Sequence, residues 1–401
     1  MRFVDEFRDA ALAARLMERI RQTATRRWTI MEVCGGQTHS LLRHGIDAEL
    51  ADVVELIHGP GCPVCVTPAE AIDEAIALAR TPGVTLASFG DMLRVPGSSG
   101  SLLAARAAGG EVKAVYSPLE AVQFAQANPG RQVVFFAVGF ETTAPATAVA
   151  VQQAERLGIT NFSLLACHVR VLPAMEALVQ QADFRVAGFL AAGHVCAVRG
   201  YADYEPFVAR YRLPVVVTGF EPTDLLEGLW ESVRQLEGGG ARVANCYGRG
   251  VRREGNPAAQ SIMDSVYEPC DRAWRGLGVI PGGGLRLRPE WRRYDARSRR
   301  YGAADRRPPE DSAIPGTEPA ASTAPAASTE PAASTATAAT AVADRDVDCP
   351  AGEVLIGKLK PSACPHFGGR CTPESPLGAP MVSAEGACAA YYRYGPPRVS
   401  L

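Results

Sequence analysis

A chain of 401 residues with 47% hydrophobic residues and a formal net charge of −2 is long enough for two to three globular domains. The near-neutral balance argues against a general affinity for nucleic acid, and no uncharged apolar run is long enough to cross a membrane. The amino terminus is charged and amphipathic, unlike a signal peptide, so the 11 cysteines are expected in the reducing cytoplasm. Metal binding or thiol redox chemistry is commoner there than a disulfide framework.

In chain order, helical spacing predicts an opening helix over residues 4–23. Strands are predicted over 29–33, 53–57, 84–89, 112–116, 133–138, 162–167, 186–191 and 213–218. Helices are predicted between them over 68–80, 101–108, 118–127, 144–157, 173–181 and 222–236. Such alternation indicates an α/β fold with mostly parallel sheets, and the strand count suits two sheets better than one. The expected domains are 1–117, 118–284, an Arg-rich then Ala/Ser/Thr/Pro-rich linker over 285–344, and a small loop-rich domain over 345–401.

The first two strands run into the most reactive stretches. Met31-Glu-Val-Cys34-Gly-Gly-Gln-Thr-His39-Ser puts a thiol at a strand end, followed by two glycines that let backbone or ligand approach closely. Gly59-Pro-Gly-Cys62-Pro-Val-Cys65 closes the second strand in the same way. Three sulfurs and the imidazoles of His39, His44 and His58 therefore fall on two loops that could share one sheet edge. A buried, inert cysteine is the bland alternative, but Gly/Pro loops are poor places to bury a side chain.

Several later strands end in glycine and a polar residue, which makes Asp91, Glu141, Thr142, Thr143, His194 and Glu221 candidate cleft residues beyond the carboxyl ends of the strands. Each acid could equally be a helix cap, and for Glu221, just before Pro222, capping is the better reading. The loop Gly97-Ser-Ser-Gly-Ser101 could cradle an anion but lacks a lysine.

Residues 285–307 carry nine arginines, read as a solvated linker face in preference to an RNA contact. Residues 308–343 are almost only Ala, Ser, Thr, Pro and Glu and are expected to be disordered. The tail then holds Cys349, Cys364, Cys371 and Cys388, with 14, 6 and 16 residues between them. So small a segment commonly needs a metal to fold. Four thiolates suit zinc or a [4Fe–4S] cluster, and the absence of close Cys-x-x-Cys knuckles favours iron–sulfur. Cys167, Cys196, Cys246 and Cys270 show no ligand spacing.

These strings, with Phe89-Gly-Asp-Met-Leu-Arg-Val-Pro-Gly97, Gly139-Phe-Glu-Thr-Thr-Ala-Pro145, Glu254-Gly-Asn-Pro-Ala-Ala-Gln260 and Glu385-Gly-Ala-Cys-Ala-Ala-Tyr-Tyr392, resemble the HypD family of [NiFe]-hydrogenase maturation scaffolds. The resemblance spans nearly the whole chain outside 308–344. Cys196 stands where a small hydroxylic residue is expected. The resemblance implies two similar α/β domains facing a cleft, with a [4Fe–4S] domain behind. It implies a HypC-type chaperone that shares an iron with this chain and a HypE-type donor that delivers cyanide from a thiocyanate. It also implies an Fe(CN)2CO unit that passes to the hydrogenase large subunit. Mapped here, Cys34 would be the iron thiolate with His39 close by, and Cys62 and Cys65 a thiol–disulfide pair. Cys349, Cys364, Cys371 and Cys388 would be the cluster ligands.

A soft thiolate suits Fe(II) carrying strong-field ligands, and a low-pKa Cys34 at a strand–helix turn would be available as thiolate near neutral pH. Two rival readings share these residues. One is a cluster-fed dithiol–disulfide oxidoreductase acting on a protein through Cys62 and Cys65. The other is a thiol hydrolase with Cys34 as nucleophile and His39 as base.

Overall fold

The structure, a computed structural model, describes residues 5–301 and 349–395. The stretch 308–343, expected to be disordered, lies outside the described residues. Nine strands build two parallel sheets. The first contains β1 (Trp28–Glu32) and β2 (Val54–His58); the second contains β3 (Val84–Ser88), β4 (Val112–Ala114), β5 (Gln132–Gly139) and β6 (Phe162–His168). The chain then returns to the first sheet with β7 (Gly188–Ala192), β8 (Val215–Thr218) and β9 (Val243–Asn245). The strand orders are β2-β1-β7-β8-β9 and β4-β3-β5-β6. Every pairing within them is parallel. β5 is buried from Val133 to Gly139, as a strand covered by helices on both faces requires.

The expected domain division at 117/118 does not coincide with the sheets. Strands from both sides of residue 117 enter each sheet, so the first sheet is split in sequence by the whole of the second. Parallel neighbours are joined by long crossovers and pair with non-local partners, which local spacing cannot identify.

The boundary at 284/285 also moves. A hairpin of β10 (Tyr267–Trp274) and β11 (Gly278–Leu287) runs past it, and the arginines beyond are bound to the fold. Arg286 pairs with Glu268 at 2.8 Å, and Arg297 bonds Glu74 at 2.9 Å and the Ala166 carbonyl at 3.1 Å. Arg299 reaches the Thr160 carbonyl at 2.9 Å. The described part of the arginine run is thus a strap across the second sheet instead of a solvated linker.

The tail segment folds into two short helices, Ala351–Leu355 and Ala387–Tyr394, joined by turns. Phe367, Cys371, Met381, Ala390 and Tyr391 pack against Leu42, which fixes the tail to the helix that follows β1. No helix among the described residues is long and apolar enough to cross a membrane.

Candidate active site

β1 delivers Cys34 to the carboxyl edge of the first sheet. The residue is extended, with φ −152° and ψ 118°, and opens the helix Gly35–Arg43. Two glycines make the turn possible by close approach. A Cβ on Gly35 would lie 2.4 Å from the Glu385 carbonyl oxygen, and one on Gly61 would lie 2.1 Å from the Cys34 nitrogen. The second cysteine loop therefore presses directly on the first, and the Gly35 amide donates to the Gly61 carbonyl at 3.0 Å.

Cys34 is fully buried, and its Sγ lies 3.6 Å from Nδ1 of His194. His194 begins the helix Gly193–Arg199 directly after β7 and stacks on Phe220, with ring centroids 5.4 Å apart. Burial lowers the His194 pKa to about 4, so the ring is neutral at pH 7. Burial pushes the Cys34 thiol above its usual range; the Gln37 amide opposes this, and the charges of Glu32 and Glu385 add to it. The expectation of a low-pKa thiol is thus corrected: the helix start offers amides, but desolvation outweighs them.

The imidazole beside Cys34 is His194 and not His39. His39 donates through Nδ1 to the Ala384 carbonyl at 3.2 Å, and Tyr394 approaches its other nitrogen at 3.5 Å. It ties the Cys34 helix to the tail, which removes it as a base for Cys34. His44 is exposed. Glu32, which sits in a run that reads as apolar, also belongs to the site. Its carboxylate accepts from the Cys34 amide at 2.8 Å, from the Thr38 hydroxyl, and from Nδ1 of His58 at 2.8 Å.

Cys62 and Cys65 are joined by a disulfide at the start of the short helix Pro63–Val66. They share one buried cluster with Cys34, Phe140, Val195 and Cys196. Cys196 is therefore a core thiol, raised to about 12 by burial.

The other cleft candidates bond elsewhere. Asp91 is exposed and accepts from Ser383 at 3.3 Å. Glu141 is buried; one oxygen accepts from the Val171 amide at 3.2 Å, and the other has no partner among the described residues. Burial raises its pKa. Thr142 is half-buried, and Thr143 donates to the Phe140 carbonyl at 3.1 Å in the turn before the helix Ala144–Arg156. Glu221 pairs with Arg8 at 2.5 Å at the start of the helix Pro222–Glu237. In the Gly97–Gly100 loop the Asp73 carboxylate already occupies the Ser98 amide at 2.9 Å, which opposes anion binding.

The four tail cysteines line one cavity, together with Val354, His366, Phe367, Pro380 and Met381. Burial, followed by the proximity of Cys349, Cys371 and Cys364, pushes the Cys388 thiol well up. Among the described residues no group of three or more His, Cys, Asp or Glu is spaced to hold a metal ion as it stands. The donor set, four soft thiols around one apolar cavity, nonetheless fits a thiophilic group such as an iron–sulfur cluster.

Comparison with known proteins gives a consistent picture. The HypD family model, described as the hydrogenase formation hypA family, matches residues 11–317 and 326–395. The chain is 44% identical over 409 residues to the hydrogenase maturation factor HypD of Rhodobacter capsulatus, covering 100% of both chains. It is 44% identical to HypD of Azotobacter vinelandii, over 99% of this chain and 98% of the relative. It is 42% identical to HypD of Escherichia coli strain K12, over 98% of each.

Proposed function

The chain belongs to the HypD family and has a role in hydrogenase maturation, and within that role we propose that it is the scaffold on which the Fe(CN)2CO unit of [NiFe]-hydrogenase is assembled. Cys34 supplies one thiolate to the iron, and a HypC-type chaperone supplies the other. A HypE-type protein delivers cyanide as a thiocyanate, and the finished unit passes to the hydrogenase large subunit. The family further implies two similar domains facing a cleft, with the cysteine-rich tail behind.

One observation carries this reading: Cys34 sits 3.6 Å from a neutral imidazole, on a loop bonded to the one that bears the Cys62–Cys65 pair. Iron displaces the thiol proton, and Nδ1 of His194 is placed to accept it. Burial around Cys34 keeps water from the bound cargo. Release of cyanide from a thiocyanate consumes two electrons. The two thiols of reduced Cys62 and Cys65 become a disulfide, and their two protons leave on the donor thiol and on hydrogen cyanide. Cys349, Cys364, Cys371 and Cys388 would hold a [4Fe–4S] cluster. Such a cluster would supply single electrons to restore the dithiol.

The disulfide itself also favours a second reading, a dithiol–disulfide oxidoreductase acting on a protein. That reading leaves Cys34 and His194 without work. The hydrolase reading loses His39, which is bonded to the tail, and gives Cys62, Cys65 and the four tail cysteines no work. Infrared spectroscopy and iron analysis after anaerobic co-purification with the chaperone separate the two remaining readings. Cyanide and carbonyl stretching bands support the scaffold; a cluster without them supports the oxidoreductase.

A further inference from the structure

Glu32 and His58 occupy matched positions on neighbouring strands, directly opposite each other in the parallel register of β1 and β2. Glu32 is 0% exposed and His58 5%. Burying a carboxyl group against an imidazole is seldom the most stabilising choice for a sheet core, since apolar residues of like volume commonly serve as well or better. The pair must therefore be explained by what it holds. Each Glu32 oxygen is engaged: one accepts from the Cys34 amide, the other from Thr38 and His58. The Glu32 backbone carbonyl also accepts from the Gly59 amide at 2.8 Å. One residue thus fastens the turn that presents Cys34 to the loop that leads into Cys62.

The far side of His58 faces the tail. Its Nε2 is buried and has no hydrogen-bond partner among the described residues. The ring instead meets Tyr391 edge-on, with centroids 5.4 Å apart. Tyr391 is held by Asp47 through its hydroxyl at 3.2 Å, and it lies on the helix Ala387–Tyr394, one turn beyond Cys388.

We propose that Glu32 and His58 are positioning residues for Cys34, seated on Tyr391 so that the order of the Cys34 turn depends on a folded four-cysteine tail. The inference rests on reading Cys34 as the working thiol. It adds a route by which the state of the tail reaches Cys34 through hydrogen bonds and packing instead of through the disulfide. A chain with an unfolded tail would lose the ring under His58, loosen Glu32 and leave Cys34 poorly placed to receive iron.

The test uses the full chain, purified anaerobically, and iodoacetamide as probe, with Cys34 alkylation followed by peptide mass spectrometry. His58→Phe keeps a ring against Tyr391 but removes the Nδ1 donor, and should accelerate Cys34 alkylation about 10- to 100-fold, the equivalent of one hydrogen bond to a charged group. His58→Asn restores a donor at the Nδ1 position but not the ring against Tyr391, and its rate should fall clearly between those of the parent and His58→Phe. Tyr391→Leu should accelerate alkylation, and Tyr391→Phe should not. Parental rates in folded His58→Phe, or equal acceleration in His58→Asn and His58→Phe, would overturn the proposal. If His58→Phe does not fold, the Tyr391 variants decide, and a parental rate in Tyr391→Leu overturns it. The assay needs neither iron nor chaperone, so missing infrared bands in the parent would remove the scaffold reading and leave this result standing.

Discussion

Sγ of Cys65 lies 4.0 Å from the carbonyl oxygen of Ala379. Ala379 is flanked by Gly378 and Pro380, both of which line the four-cysteine cavity. The disulfide loop therefore rests on the wall of that cavity. The segment continues past both sheets: Val382 packs with the second-sheet core and accepts from Arg94 at 3.0 Å, and Ala384 accepts from His39, on the helix after β1, at 3.2 Å. The segment that forms the cavity wall thus touches both cysteine loops.

Loss of one tail thiol is the direct check. Cys371→Ser should abolish cluster absorbance and make residues 349–395 sensitive to limited proteolysis. An unchanged visible spectrum, with zinc found by elemental analysis, would refute the iron–sulfur assignment.

Cys34→Ala should eliminate the cyanide and carbonyl infrared bands while leaving the absorbance of the tail intact. His194→Ala should weaken the bands by about 10- to 100-fold, the usual cost of losing a group that orients a ligand. His39→Ala should be milder, because His39 bonds the tail and not the thiol. Full-strength bands in Cys34→Ala would leave the oxidoreductase reading ahead.

Cys62→Ser and Cys65→Ser should fail equally in cyanide transfer, since a lone thiol cannot close the internal disulfide that yields two electrons. Both should still bind the chaperone in a pull-down. A Cys62→Ser protein with parental transfer would show that the pair is structural.

Glu141 gives a pH signature. Its folded pKa is raised by burial, so below the unfolded value of about 4.3 both states are protonated and no penalty arises. As pH rises from there towards the folded value, the unfolded chain ionises first and stability falls. Glu141→Gln removes that penalty. The variant's thermal midpoint relative to the parent should therefore rise between pH 4 and pH 8. A constant difference across that range would mean that Glu141 ionises in the folded protein as it does in the unfolded chain.

Local pattern made much of this fold legible. All eight expected strands are present, and the helix expected over 118–127 is found as Pro118–Ala127, where Ser117 caps and Pro118 opens it. β9 and the β10–β11 hairpin were not legible. β9 is three residues long beside a glycine run, and the hairpin carries Pro269, Pro281 and Gly282 to Gly284, which read as loop. At the site, the thiols stood out by residue type, and His194 by its place after a strand. The choice of His194 over His39 did not, because it depends on β7 pairing with β1, a contact between residues far apart in sequence. Glu32 left one faint mark, an acid two residues before Cys34 that is matched by His58 at the end of the next strand.

The interrupted first sheet has a consequence for the chain as it is made. Cys34, Cys62 and Cys65 leave the ribosome early, but their shelter draws on β7, β8 and β9 and on the tail. At roughly 5–20 residues per second, the interval from Cys65 to the start of β7 is on the order of ten seconds. During that time these thiols lack the strands that close over them and stand open to oxidants. A ribosome-stalled chain ending before β7 should let iodoacetamide reach Cys34 freely, whereas one extending well past residue 395 should protect it. Oxidative damage to this protein would then fall mainly on newly made chains and not on the finished pool.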